Sequence, residues 1–410
     1  MKKFFALLLS LAMVLALVAC GQKDPTPDTP DTPDDPQTKV EYKVAMITDY
    51  GDITDQSFNQ TTYEACKAFA EDNSIEFSYF KPAGDNTADR VAMIEKAVDE
   101  GFNVIVMPGY AFGGAIVEAA PEFPDVKFIA LDVAAGDLLE TAVAKAGESY
   151  DYTPENWDLN KYVDMSNVYC AVYQEELCGY MAGYAAVKLG YKNLGFLGGM
   201  SVPAVVRYGY GFVQGVDAAA ADLGLTDVKL NYIYGGQFFG DADITAVMDT
   251  WYQGGTEVVF ACGGGIYTSA VDAAKKANAK VIGVDVDQAG VIAKYAGVDG
   301  MTVTSAMKGL YPATYDTLTD VIVNGNWDKY VGKIETLGLV SGTDPEANYV
   351  QIPMGDGTQW SDSFTQDDYK AMVKDMFDGK ITVSNNTSSD VSAADFATVI
   401  TVDDQGSIKG

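Results

Sequence analysis

From residue 42 onward, short β-rich apolar runs alternate with segments of helical periodicity, and this alternation restricts the fold more than any other feature of the chain. The runs are "KVAMIT", "IEFSYF", "NVIVMPG", "KFIALD", "NVYCAVY", "NLGFLGG", "KLNYIY", "EVVFACGG", "KVIGVD" and "MTVTSAM". Stretches between them, such as "RVAMIEKAVDEG" and "GFVQGVDAAAADLG", carry apolar residues on one face at about 3.6-residue spacing. Such a βαβα succession predicts parallel sheets covered by helices on both faces, and ten strands exceed one sheet of ordinary size. The expected fold class is therefore α/β with two lobes. The stretch "SYDYTPENWDLNKYVDMSN" (149 to 167) reads as a long irregular insertion between two groups.

Ahead of this region, Lys2 and Lys3 precede the apolar run "FFALLLSLAMVLALVA", which stops at Cys20 and Gly21. That is the pattern of a secretory signal, and "LVAC" (17 to 20) resembles a bacterial lipobox. Cleavage before Cys20 would remove residues 1–19 and leave Cys20 as the lipidation site, anchoring the protein on the outer face of the cell membrane. Residues 20–41 then form a lipid-anchored tether. From Gly21 on it alternates Pro, Asp and Thr, with almost nothing to bury. In a polyproline-like state at ~3.1 Å per residue, it would reach roughly 60 Å. No later stretch offers the ~20 consecutive apolar residues of a membrane helix, so membrane contact is expected through the lipid alone.

Composition excludes several functions. A net charge of −31 over 410 residues argues against nucleic acid and against adhesion to anionic lipid. Histidine is absent, which removes the commonest general base and the commonest zinc ligand. Cys66, Cys170, Cys178 and Cys262 lie in apolar segments without metal-site spacing and read as buried thiols, although spacing alone leaves a disulfide open. There is no G-x-S-x-G and no phosphate-binding G-x-x-x-x-G-K-[ST] motif. "GYGFVQG" (209 to 215) is one residue too long for a dinucleotide fingerprint and lies in a helical pattern, so its glycines read as close-packing or turn residues. No catalytic residue, metal site or cofactor is expected.

What recurs is a polar and aromatic set at strand ends, where loops of an open parallel sheet form the ligand crevice. It comprises "DYGDITDQSFNQ" (49 to 60), "GYAF" (109 to 112), Asp132, "GGQFFGD" (235 to 241), "GGG" (263 to 265) and "DVDQ" (285 to 288). Ser57 with Gln60 three residues later fits a capping box, which assigns both to the helix start rather than to a ligand. Phe58, in the first turn of that helix, faces the crevice as easily as the core. Aromatic faces with carboxylates nearby suit a flat ligand that carries hydroxyl groups.

Four segments resemble the basic membrane protein family of lipoproteins, the purine nucleoside receptors of ABC importers: "DQSFNQ" (55 to 60), "GGMSVPAVVRYGYGFVQG" (198 to 215), "KVIGVDVDQ" (280 to 288) and "TVTSAMK" (302 to 308). The resemblance extends over residues 42–325. It implies a type I periplasmic-binding-protein fold, in which two Rossmann-like lobes joined by three hinge crossings close on a ligand. Residues 42–173 plus 308–333 would form lobe one, and residues 174–307 plus 334–410 lobe two.

The same resemblance implies that an aromatic ring from each lobe sandwiches the base. Phe58 supplies one, and Phe239 the other, with Phe238 the alternative because the family's usual Gly-Ser-Phe is altered here. Asp49 and Asn59 would meet polar edges of the ligand and Asp285 the ribose hydroxyls. Gly263 would lie in the closing loop, and Lys308 would reach a base or ribose oxygen, or else bridge the hinge in a salt link. The implied protein is a monomeric, extracytoplasmic receptor that passes a purine nucleoside to an ABC permease without chemical change. Alternatives are the same fold holding a sugar, a flavin or a signalling molecule, a surface sensor without a permease, and a nucleoside hydrolase, for which the sequence carries no positive signal.

Overall fold

A computed structural model describes residues 41–409. The expected signal sequence, Cys20 and nearly all of the expected tether lie outside the described residues. Tyr42–Gly410 form one compact unit.

All ten expected strands are present: β1 Lys43–Ile47, β2 Glu76–Phe80, β3 Val104–Pro108, β4 Lys127–Leu131, β5 Val168–Tyr173, β6 Asn193–Gly198, β7 Lys229–Tyr234, β8 Val258–Cys262, β9 Lys280–Asp285 and β10 Thr302–Lys308. Three more follow, β11 Ile334–Leu337, β12 Val350–Gln351 and β13 Thr401–Ser407. They form two sheets, ordered β2-β1-β3-β4-β5-β11 and β13-β7-β6-β8-β9-β10-β12. Apart from the antiparallel β10–β12 pair, every pairing is parallel. Central strands such as "VIVMP" and "VVFAC" are buried at every position, because helices cover both faces.

The chain crosses between the sheets three times: after β5, after β10, and between β11 and β12. These crossings lie side by side. Gln174 N–H donates to the Leu337 carbonyl (3.0 Å), Tyr349 N–H to that of Gly338 (3.0 Å), and Gly309 N–H to that of Tyr349 (2.6 Å). The architecture is a type I periplasmic-binding-protein fold with a three-crossing hinge. One expectation is corrected: β11, assigned from sequence to the second lobe, pairs in parallel with β5 and extends the first sheet. The irregular stretch 149–167 also lies ahead of β5, inside the first lobe, and includes the short helix Leu159–Tyr162.

In the second lobe, helices Glu175–Lys188 and Pro203–Leu223 pack backbone against backbone. A Cβ on Gly211 would stand 2.1 Å from the Glu176 carbonyl oxygen, and one on Gly215 would stand 2.1 Å from that of Tyr180. The glycines of "GYGFVQG" are therefore close-packing residues: Gly211 and Gly215 against the neighbouring helix, Gly209 against Tyr232 and Phe196 of the sheet. Cys66, Cys170, Cys178 and Cys262 are free and buried. Gly211→Ala should cost about 1–3 kcal/mol by overpacking this contact, measured as a lower urea midpoint with an unchanged slope.

Candidate functional site

Both sheets turn the carboxyl ends of their strands toward one cavity of about 430 Å³. Asp49, Phe58, Asn59, Phe239, Gly263, Asp285 and Lys308, the seven residues singled out in the sequence, all line it. Tyr50, Tyr110, Asp132, Tyr208 and Phe238 line it as well.

Asp49 follows β1 and is buried. Its Oδ1 accepts the N–H groups of Tyr50 (2.6 Å) and Gly51 (2.7 Å). Burial raises its pKa, and those backbone donors oppose the rise. Helix Phe58–Asn73 begins beside it, but not through the expected capping box. Asp55 satisfies the first-turn donors instead, taking the N–H groups of Ser57 (2.9 Å), Asn59 (2.9 Å) and Gln60 (3.1 Å). Gln60 Oε1 accepts from the Gln56 backbone and side chain. Asn59 Nδ2 bonds Asp55 (3.1 Å), whereas its buried Oδ1 has no partner within the protein.

Ser57 is thereby released for a different task. Its Oγ donates across the cleft to Asp285 Oδ2 at 2.5 Å, while the Tyr208 hydroxyl donates to Oδ1 at 3.2 Å. Gln288 Nε2 also crosses to the Gln56 carbonyl (3.1 Å). The hydroxyls of Tyr50 and Tyr110 both reach Met200 Sδ (3.8 Å each). Directly bonded to each other, the two walls form a closed cleft.

Lys308, at the end of β10, lies at the centre. Its ammonium pairs with Asp132 of the first lobe, with Glu175 at the start of the first crossing helix (3.5 Å), and with Asp285 of the second lobe (3.7 Å). Burial alone would lower its pKa, but the carboxylates of Asp132, Asp285 and Glu175 hold it above the ordinary lysine range. Burial raises the Asp132 carboxyl, against the pull of Lys308. Arg207 Nε adds a 2.7 Å bond to Glu175 Oε2. The lysine is thus a bridge between lobes that also faces the cavity. Its Nζ stands 4.6 Å from the centre of the Phe58 ring, so Phe58 presents a face to the site.

Asp132 follows β4 and Asp285 ends β9, equivalent strands, each fourth in its sheet counting from β2 and β7. Both adopt left-handed backbone, φ 59° and 64°, a conformation that Asp tolerates better than most residues. On the second-lobe wall, Phe238 rests over Gly199 and Gly263. A Cβ on Gly263, where φ is 151°, would come within 2.8 Å of the Phe238 ring. Phe239 is 55% exposed at the rim. Both rings therefore line the cavity, Phe238 seated on glycine and Phe239 at its mouth.

Among the described residues, no group of three or more Cys, Asp or Glu is placed to hold a metal ion. The carboxylates that do converge are occupied by Lys308. Sequence reasoning did not assign roles to Tyr208, Glu175, Arg207 or the Ser57 bridge. Tyr208 lay within a quoted motif, but Glu175 opens a helix with no local pattern to mark it.

Two α/β sheets closing on such a cavity define a solute-binding protein of the type I periplasmic class. Solved solute-binding proteins of ABC transporter systems share the fold. The one from Aeropyrum pernix K1 aligns with a TM-score of 0.63 at 19% identity, over 85% of this chain and 95% of its own. That from Conexibacter woesei gives 0.59 at 20% identity, over 84% and 99%. The profile of the Bmp family, ABC transporter substrate-binding protein PnrA-like, matches residues 42–343, and the chain belongs to this family. The ABC transporter nucleoside-binding protein BmpA of Lactococcus lactis is 25% identical over 92% of this chain and 96% of its own length. Basic membrane protein B of Borreliella burgdorferi is 26% identical over 76% and 83%. The family is a class of substrate-binding proteins rather than enzymes. No helix among the described residues is long and apolar enough to cross a membrane.

Two predictions follow from the buried charges. Lys308→Met leaves the buried Asp132 carboxylate without its cation and should destabilise the protein by about 3–5 kcal/mol in chemical unfolding. Glu176, buried beside Glu175 with no partner for Oε2, has its pKa pushed from 4.5 to about 7 by burial, with Glu175 adding to the rise. The folded state then holds a proton that the unfolded chain has released. Wild-type stability from this group is full below about pH 4.5 and lost as pH rises through 7. The neutral Glu176→Gln variant escapes that loss. Its melting temperature relative to wild type should increase between pH 4.5 and 7.5, measured by calorimetry.

Proposed function

We propose that this substrate-binding protein captures a purine nucleoside and hands it, chemically unchanged, to an ABC permease. The observation that carries the reading is the cavity itself, with Phe58 on one wall and Phe238 and Phe239 on the other. A planar base fits between such faces. Its volume lies within the roughly 300–1,000 Å³ of small-molecule sites. Asp49 and Asn59 would meet the polar edges of the base, Asn59 through its unpaired oxygen. Asp285, fixed by Ser57 and Tyr208, would accept from ribose hydroxyls, and Lys308 would donate to a ligand oxygen. Gly263 acts by seating Phe238. The name of the Lactococcus relative, a nucleoside-binding protein, supports the same choice.

Charge separates nucleosides from nucleotides. Asp49, Asp52, Asp55, Asp132 and Asp285 line the cavity, and of the two lysines there, Lys81 is paired with Asp52 (3.0 Å) and Lys308 with three carboxylates. A phosphate would meet a net negative lining whose lysines are both already paired, whereas hydroxyl and amino donors would be accepted. Two stacked faces and two or three charge-assisted bonds could give about 8–10 kcal/mol after ordering costs, micromolar or tighter. Lipid on Cys20 and the acidic tether would hold a monomeric receptor at the outer membrane face within reach of its permease.

Titration calorimetry with inosine, guanosine, adenosine, guanosine monophosphate, ribose and riboflavin tests the reading. Purine nucleosides should bind and the others should not; sugar binding with indifference to nucleosides would overturn it. Phe58→Ala removes one stacking face and should weaken nucleoside binding by at least ~1 kcal/mol while leaving the fold intact by circular dichroism.

A further inference from the structure

β13 occupies the outer edge of the second sheet and lies beyond the residues matched by the family profile. It runs parallel to β7, from Thr401 opposite Lys229 to Ser407 opposite Tyr234. Parallel pairing delivers its carboxyl end to the same rim as that of β7, the ligand side of such a sheet. Ile408 N–H still bonds the Tyr234 carbonyl (2.8 Å), and the next residue, Lys409, reaches the loop that carries Phe238 and Phe239.

The side-chain contacts there are connected, while the Asp241 backbone is held separately by Ser269 and Thr245. Lys409 Nζ donates to Gln237 Oε1 (2.9 Å) and to Asp241 Oδ2. Gln237 Nε2, oriented by that bond, donates to the Phe239 carbonyl (2.9 Å) and to Asp241 Oδ2 (3.0 Å). Asp241 also accepts the N–H of Ile244 (3.0 Å), which fixes the loop to the helix Ala242–Gln253. Gly236 lies directly under the lysine; a Cβ there would stand 2.7 Å from the Lys409 carbonyl oxygen. Apart from half-buried Val402, every residue of β13 is exposed, so the strand supplies little core. Its clearest structural consequence is at its end, where an ammonium holds both polar side chains that bracket the two phenylalanines.

We propose that Lys409 is a positioning residue for the Phe238–Phe239 loop, and that β13 is a strap whose end sets how long a ligand stays in the cavity. This rests on the reading of that cavity as the nucleoside site. The side chain touches no ligand; it acts by holding Gln237 and Asp241, and through them the rings.

Hydrogen exchange and ligand dissociation test the proposal together. In ligand-free Lys409→Ala, amides of residues 237–241 should exchange faster than in wild type while the melting temperature stays the same. Lys409→Arg, which keeps the charge, should restore slow exchange. Inosine should leave Lys409→Ala about three- to tenfold faster than wild type, the scale of ordinary coupling between contacting residues. Unchanged exchange in Lys409→Ala overturns the proposal, and so does unchanged inosine dissociation from a protein that binds inosine. If wild type binds no nucleoside, the nucleoside reading fails by itself. The exchange measurement, which needs no ligand, then still decides whether Lys409 holds the loop.

Discussion

A single buried ammonium ties this molecule together. Lys308 emerges from β10 where the chain leaves the second sheet, and its three carboxylate partners come from the first lobe, the first crossing helix and the second lobe. Burying such a group contributes little net stability, because desolvation offsets most of the attraction. What it supplies is specificity of arrangement. Only when Asp132 and Asp285 approach from opposite sides is the charge satisfied, so the closed geometry is the one in which Lys308 has all its partners. Counting Arg207, the cluster holds three negative and two positive groups, and the cavity wall keeps a net negative character that suits hydrogen-bond donors.

The remaining features serve that geometry. Left-handed backbone at Asp132 and Asp285 turns equivalent strand ends inward in both lobes, which brings their carboxylates onto one amine. Glycine at 263 lets Phe238 rest against the backbone, while Asp55 takes over the start of the Phe58 helix and frees Ser57 to reach Asp285. Except for Gly263, whose partner Phe238 lies on the same wall, each of these is a local choice whose reason lies in the opposite wall.

That is also why the sequence revealed some parts and not others. Most of β1 to β10 were legible because parallel strands covered on both faces read as nearly continuous apolar runs, while edge strand β2 was legible from its aromatic residues. β11 and β13 were not: "IETL" has no fully buried residue, and "TVDDQGS" is almost wholly exposed, so neither carries the pattern that marks a strand. The seven cavity residues could be named from strand-end position and family resemblance together. Ser57 was misassigned because S-x-x-Q is a sound local capping signal, while its actual partner is 228 residues away. Glu175 left no trace for the same reason: its importance is defined by Arg207 and Lys308, and neither is its neighbour in the chain.

The three adjacent crossings restrict how the cleft can open. Strands in a sheet stand about 4.8 Å apart, and four such steps separate β10, at the pivot, from β7, which carries the phenylalanine loop: roughly 19 Å of lever arm. A swing of about 10° would then move the end of β7 roughly 3 Å and leave Lys308 almost stationary. Groups near the fulcrum then shift only slightly, whereas the Phe238–Phe239 loop at the far end travels the whole distance.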